Sequence, residues 1–435
     1  MFRNRPFTIR EQKSETTIAS PGGKMKENDI YAEYLNLVDE LKDFERNKIP
    51  LCAAETRCSP FVRSALGSVF EGKYCMQNSG YCAATDFIGS QYVHRLYELL
   101  NRQCSKMFKS TYSDARTLSG MNCVATVINC FLPEGGKVLL TDPEQGGHPS
   151  IPLLLELNQV AFDPIPYDYS SFDIDYSELN IQARRGGYDA IIIAQSDLLV
   201  PADVSRICAD GTPVIYDATQ TLGTIAARVH NNPLDDYENL VLIGGTHKTL
   251  PGPTCGLILT RQACVADKLD SFISPSYLRN TQPDHIAAVL LALIEQEQFG
   301  AEYQQAIIKN ANYLAARLKT YGFNVLSIDG NTYTKTHQIF ISVTQEEKAR
   351  IVENAFRFGI TLNGKQKRLF NGHGIRLGMQ EITRYGWGCA ELDAVALLLS
   401  MLNDKNPDAG LIDGIKETLN AKKEVRYTFQ NDVKE

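Results

Sequence analysis

Three things are scarce or missing in this sequence, and each absence excludes a class of protein. The longest apolar run, IAAVLLALI at 286–294, is about half the length needed to cross a bilayer, so no membrane span is expected. The 11 cysteines run from Cys52 to Cys389 without a single C-x-x-C pair, which excludes a zinc ribbon or a dithiol redox centre. An odd, scattered set of thiols instead fits a reducing, cytoplasmic compartment. There is no polybasic block, and the formal charge is −7. Neither a nucleic-acid surface nor an anionic membrane is therefore an expected partner; small molecules and other protein chains are. The first 26 or so residues carry arginines but no apolar core of a secretion signal, and Glu11 and Glu15 are at odds with a mitochondrial leader. They are expected to form an arm ahead of the folded body.

What is present is an alternating pattern. Tyr31, Tyr34, Leu35, Val38 and Leu41 recur at helical spacing and predict an amphipathic helix over 29–47. After a helical stretch around 94–108 come KVLLTD (137–142), YDAIIIAQS (188–196), PVIYDA (213–218), NLVLIGGT (239–246) and CGLILT (255–260). Short β-branched runs that are apolar on both faces are the strands of a sheet covered by helices on both sides. The fold class is thus α/β, with a mainly parallel sheet. Residues 284–322 read as one long helix able to bridge two domains, and HQIFISV, EEKARIVENAFRFG and GIRLG predict a smaller α+β unit. The expected organisation is an arm and helix at 1–46, a large domain at 47–300 and a small C-terminal domain at 301–435, with a polar tail after about Asn403.

Ligands of such sheets gather at the carboxyl ends of the strands. Asp217 ends PVIYD and lies 31 residues before Lys248, which follows NLVLIGGT, so a carboxylate and an amine can face one pocket. Ser119, Gly120 and Met121 open an apolar helix-like stretch whose first N–H groups can seat a phosphate. His148 is presented by two glycines in EQGGHPS, and Arg376 sits inside the otherwise apolar HGIRLG, where a guanidinium needs an anionic partner. Taken singly, an aspartate at a strand end is a helix cap, a Ser-Gly step is a cap, and a loop lysine or histidine is solvated. Together they are an imine-forming lysine, an acid for a pyridinium nitrogen, a phosphate cradle, an aromatic plate and a carboxylate grip. Those parts hold pyridoxal 5'-phosphate and an amino acid; no metal is called for.

With THKTLPGP carrying the lysine, the chain resembles the fold-type-I pyridoxal-phosphate enzymes of the serine hydroxymethyltransferase-like group over roughly 29–402. The resemblance implies an aspartate-aminotransferase-like fold, with Lys248 as the residue bonded to the cofactor, Asp217 as the pyridine partner and His148 as the stacking ring. Ser119 and Gly120 would hold the phosphate, with Met121 beside them; Ser196, Gln220, Thr246 and His247 would line the cofactor. Arg376 would grip the substrate carboxylate, and Tyr74 would reach the site of a neighbouring subunit, in a homodimer or dimer of dimers.

Some positions depart from that group. Met76 stands where its folate-dependent members have a glutamate, and a thioether moves no proton. SPSYLRNTQPDH places Arg279 and Asn280 where they have glycines, and Ala54 replaces a serine beside Glu55 and Arg57. THKTLPGP, EQFGAEYQQAIIKNANYLAARL, TYTKTHQIF and HGIRLGMQEITRYG look closer to the L-threonine transaldolases. That likeness implies folate-independent cleavage of threonine to acetaldehyde and a glycyl quinonoid, which then attacks a second aldehyde. Lys248, His148, His247, Tyr74 and Glu55 are the candidate proton carriers, and Arg57 and Arg279 hint at an anionic aldehyde. The alternatives are a simple threonine aldolase, a racemase, a decarboxylating or oxygen-using enzyme, a folate-dependent hydroxymethyltransferase, or a non-catalytic scaffold.

Overall fold

The computed structural model describes residues 29–75, 87–209 and 211–430. The N-terminal arm and Met76 lie outside the described residues. The chain divides into two units, Met1–Asn47 and Lys48–Glu435. In the first, helix α1 (Asp29–Asn47) matches the helical periodicity of its sequence, and Ile30, Leu37 and Phe44 are exposed.

The second unit is built on a seven-stranded sheet: β1 (Tyr112–Asp114), β2 (Lys137–Leu140), β3 (Ala161–Pro164), β4 (Ala190–Ile193), β5 (Val214–Asp217), β6 (Leu240–Gly245) and β7 (Gly256–Thr260). Their order is β1-β7-β6-β5-β4-β2-β3. The five strands from β6 to β3 are parallel; β7 pairs antiparallel with both β6 and β1. Side-chain alternation divides the apolar runs between two cores. Leu139, Ile191, Val214, Leu240 and Leu242 join one, while Val138, Ile192, Ile215, Val241 and Ile243 join the other. That is why the central strands carry consecutive apolar residues: both faces are covered. Helices α2 (Ser90–Phe108) and α3 (Gly120–Phe131) pack on opposite faces, α2 contributing Leu96 and Leu100 to the first core and α3 contributing Val124 and Val127 to the second.

Helix α4 (Pro283–Thr320) is 38 residues long and enters two cores in succession. Ile286 and Leu293 pack under the large sheet, whereas Tyr303, Ile307 and Leu314 pack in a cluster built on a second, four-stranded sheet. That sheet holds β8 (Asn324–Val325), β9 (Gln338–Ser342), β10 (Asn363–Lys367) and β11 (Gly372–Gly378), in the antiparallel order β8-β9-β11-β10. Helices α5 (Gln345–Phe358) and α6 (Cys389–Leu402) complete it.

One expectation is corrected. The segment after Asn403 is not a polar tail: it forms α7 (Ala409–Asn420), capped by Asp408 and burying Ile412 and Leu419. Ile412 and Leu419 are buried and Ala409 and Ile415 pack against the same core, set among polar residues.

Candidate active site

Because β2, β4, β5 and β6 run in one direction, their carboxyl ends share one edge of the sheet. Asp217, the last residue of β5, accepts the Thr219 N–H at 2.9 Å. Thr219 Oγ1 in turn accepts the N–H of Gly245, the last residue of β6, at 2.8 Å. The amino end of α3 docks against this turn: a Cβ on Gly120 would lie 2.9 Å from Gly245 N and 3.0 Å from Thr219 Oγ1. Only glycine lets the helix approach so closely. Ser119 caps α3 by accepting the Asn122 N–H at 3.2 Å, and Met121, in the first turn, is half-buried.

Lys248 follows β6 in a loop fixed from several sides. Thr246 Oγ1 donates to Pro253 O at 2.6 Å, Gly252 N–H donates to Thr246 O at 2.9 Å, and Gln304 Nε2 donates to Thr249 O at 2.8 Å. The Thr246 hydroxyl is thus engaged by its own loop. Among the described residues the Lys248 amine has no hydrogen-bond or ion-pair partner. Burial pushes its pKa down to about 8; Arg376 and Lys365 push the same way, while Asp217 and Asp197 oppose. Burial, with a smaller contribution from Lys248, holds His247 at about 4, and the buried His247 Nδ1 has no hydrogen-bond partner.

His148 is carried by a loop of two glycines after β2. Gly146 has φ +98°, and a Cβ there would lie 2.1 Å from Asp197 O; one on Gly147 would lie 2.0 Å from Thr141 O. The His148 N–H donates to Ala194 O at 3.1 Å, and its Nδ1 accepts the Ser150 N–H at 3.2 Å, which leaves the proton of the neutral ring on Nε2. Burial lowers its pKa below the ordinary histidine value, against the pull of Asp217.

Arg376, on β11, is only 6 % exposed and has an anionic partner within the chain. Its Nη1 donates to Asp197 Oδ1 at 2.7 Å and to Ser196 O at 2.9 Å, and its Nη2 donates to Asn363 Oδ1 at 2.7 Å. Asp197, fully buried, also holds Lys365 and Lys367, each at 2.8 Å. Burial alone would raise the Asp197 pKa, but Arg376, Lys365 and Lys367 outweigh it and hold it at about 2. Gln338 ties the neighbourhood together by donating to Ser196 O at 3.0 Å and to Gln220 Oε1 at 3.1 Å.

The structure therefore brings Lys248, Asp217, His148, His247 and Arg376 into one electrostatic neighbourhood, with Ser196 and Gln220 joined through Gln338. Tyr74 is engaged elsewhere, its hydroxyl accepting from Arg279 Nε at 2.9 Å; Glu55 is exposed, and its backbone carbonyl accepts from Gln380 Nε2 at 2.7 Å. Three residues escaped the sequence reading. Asp197 follows Ser196 at the end of a β4 run that was noticed; Lys365 and Lys367 alternate in NGKQK at strand period, a signal that was legible but passed over.

The serine hydroxymethyltransferase family profile matches residues 26–399. The chain belongs to the serine hydroxymethyltransferase family. Relatives described as serine hydroxymethyltransferase include one from Pyrobaculum aerophilum, 30% identical over 92% of this chain and 95% of its own length, and one from Pyrococcus furiosus, 30% identical over 84% and 90%. The structure of an L-threonine transaldolase from Pseudomonas fluorescens superposes with a TM-score of 0.84 at 23% identity, covering 94% of this chain and 97% of that one. The chain therefore has the fold-type-I pyridoxal-phosphate architecture, and pyridoxal phosphate is its expected cofactor. The residues here fit that group: an unpartnered amine of lowered pKa, an orphaned buried ring nitrogen at His247 and a glycine cradle at the start of α3 are the donors and space it requires. No helix among the described residues is long and apolar enough to cross a membrane.

Proposed function

We propose that this family member is a pyridoxal-phosphate-dependent carbon–carbon lyase and transferase acting on a β-hydroxy-α-amino acid, with folate-independent threonine aldolase or transaldolase chemistry. The observation that carries the reading is the Lys248 amine, unpartnered and with its pKa pushed down to about 8 in the neighbourhood of Asp217, His148 and Arg376. About a tenth of such an amine is neutral at pH 7, enough to act as a nucleophile and then as a base.

Lys248 would hold the cofactor aldehyde, Asp217 would keep a proton on the pyridine nitrogen, His148 would cover the ring, and Ser119 with Gly120 would take the phosphate on N–H groups at the start of α3. Met121, Ser196, Gln220, Thr246 and His247 would complete the lining. Bound there, pyridoxal phosphate supplies the sink for the electron pair released at Cα. Arg376, held by Asp197 and Asn363, orients the substrate carboxylate. A neutral base takes the β-hydroxyl proton of threonine, the Cα–Cβ bond breaks and acetaldehyde leaves. Cα then bonds to the carbonyl carbon of a second aldehyde, whose oxygen takes up the proton. Lys248 and His148 would carry these proton movements; Tyr74, with Glu55, would serve a site completed by a second subunit of a homodimer or dimer of dimers.

Incubating the holoenzyme with threonine and an aldehyde panel, without tetrahydrofolate, tests this through acetaldehyde release and mass spectrometry of the amino-acid product. Absence of acetaldehyde defeats it. The names of the 30%-identical relatives favour a second reading, a folate-dependent hydroxymethyltransferase. Serine-to-glycine conversion that appears only when tetrahydrofolate is added would establish that one instead.

A further inference from the structure

We infer that Lys365 and Lys367 form an anion seat that selects an acid-bearing aldehyde, one carrying a carboxylate or phosphate, as the second substrate. The inference rests on the reading of the site given above and names the substrate class it takes.

β10 is an edge strand of the four-stranded sheet. In β10 the side chains of Asn363, Lys365 and Lys367 are half-buried, whereas Gly364 and Gln366 are exposed. The strand thus turns two ammonium groups inward, where a solvated edge would turn them out. Both converge on Asp197, at 2.8 Å each, and their side chains are only 18 % and 13 % exposed. Asp197 already carries Arg376. Around one buried carboxylate stand three cations, and Lys248 and Asp217 nearby cancel each other. The neighbourhood retains two surplus positive charges, and buried cations without counter-charge are costly. An amino-acid carboxylate on Arg376 offsets one of them. The other is open to a second anion, the cofactor phosphate being assigned above to the N–H groups at the start of α3.

Donor counts place that anion. Arg376 has most of its fork committed to Asp197, Ser196 and Asn363. Lys365 and Lys367 each pair with Asp197 at 2.8 Å, and Lys367 spends one of its three donors on Gly147 O at 3.2 Å. Both ammonium groups keep N–H donors uncommitted; Lys367 touches the His148 loop at Gly147, and Lys365 shares the field of Lys248. The arginines that hinted at an anionic substrate from sequence do not serve: Arg57 and Arg279 are exposed, and Arg279 donates to Tyr74.

The test uses the holoenzyme with glycine saturating the amino-acid position, and isothermal titration of unreactive alcohols that stand in for aldehydes. The probes are glycolate against glycolamide, 4-(hydroxymethyl)benzoate against its methyl ester, and glycol phosphate against ethylene glycol. At least one acid should bind about tenfold or more tightly than its neutral partner. Which acid wins separates carboxylate from phosphate. K365M/K367M should abolish the preference and K365R/K367R should retain it, which separates loss of the seat from misfolding. Equal binding within every pair, or a preference that survives K365M/K367M, overturns the proposal. Because titration reads binding without turnover, failure of the threonine reaction and failure of the anion seat give different results.

Discussion

The carbonyl oxygen of Gly146 accepts the backbone N–H of Asp197 at 2.9 Å, joining the loop that presents His148 to the loop that presents the counter-ion of Arg376. Ser196 N–H donates to the same oxygen at 2.8 Å. Gly146→Ala would put a methyl group against Asp197 O in a positive-φ conformation. The expected cost is about 1–3 kcal/mol of stability, with the ring and the arginine displaced together. Urea unfolding gives the first, and a joint change in cofactor absorbance and substrate KM gives the second; an unchanged protein would mean that the loops are not coupled.

Asp197→Asn leaves Arg376, Lys365 and Lys367 without their shared counter-charge and should destabilise the protein by about 3–5 kcal/mol. The sign of the pH dependence follows from the folded pKa. It is held at about 2, below the ordinary 3.8, so the stabilisation is present above about pH 4 and is lost as pH falls toward 2. The unfolding midpoint of the wild type should drop through that window more steeply than that of the variant, and parallel curves would contradict the pairing.

Lys248 makes a kinetic prediction. Condensation with an aldehyde needs the neutral amine, and burial has brought the pKa down to about 8. Reconstitution of cofactor-free protein with pyridoxal phosphate should speed up with pH and level off above about pH 8. A rate that keeps climbing towards pH 10 would show an amine that titrates as if in water.

His148 is held below the ordinary histidine range by burial, so the uncharged ring is the form present at neutral pH. His148→Phe keeps a flat ring but removes Nε2–H. Cofactor should remain bound while kcat falls by about 10²-fold; loss of the cofactor with no separate effect on kcat would assign the ring to packing alone.

The sheet was legible because strands buried on both faces carry apolar residues at consecutive positions, as VLL, AIII, VIY and LVLIGG do. The long helix α4 declared itself by period and length. Lys248, Asp217 and His148 could be found because strand ends are few and ligands gather there. Asp197 was hidden for a physical reason: its meaning lies in three cations more than 150 residues away in sequence, and no local pattern announces that convergence. Helix α7 was missed because its buried Ile412 and Leu419 are set among polar residues, and the Asp197 partner of Arg376 could not be read from sequence because it lies 179 residues away.

The central claim is that the amine of Lys248 bonds the cofactor aldehyde, and borohydride tests it most directly. The holoenzyme is reduced, digested and mapped by mass spectrometry. The account predicts the reduced pyridoxyl phosphate mass on the peptide containing Lys248, and no label in Lys248→Ala. A label on any other lysine, or none on a protein that binds the cofactor, would contradict it.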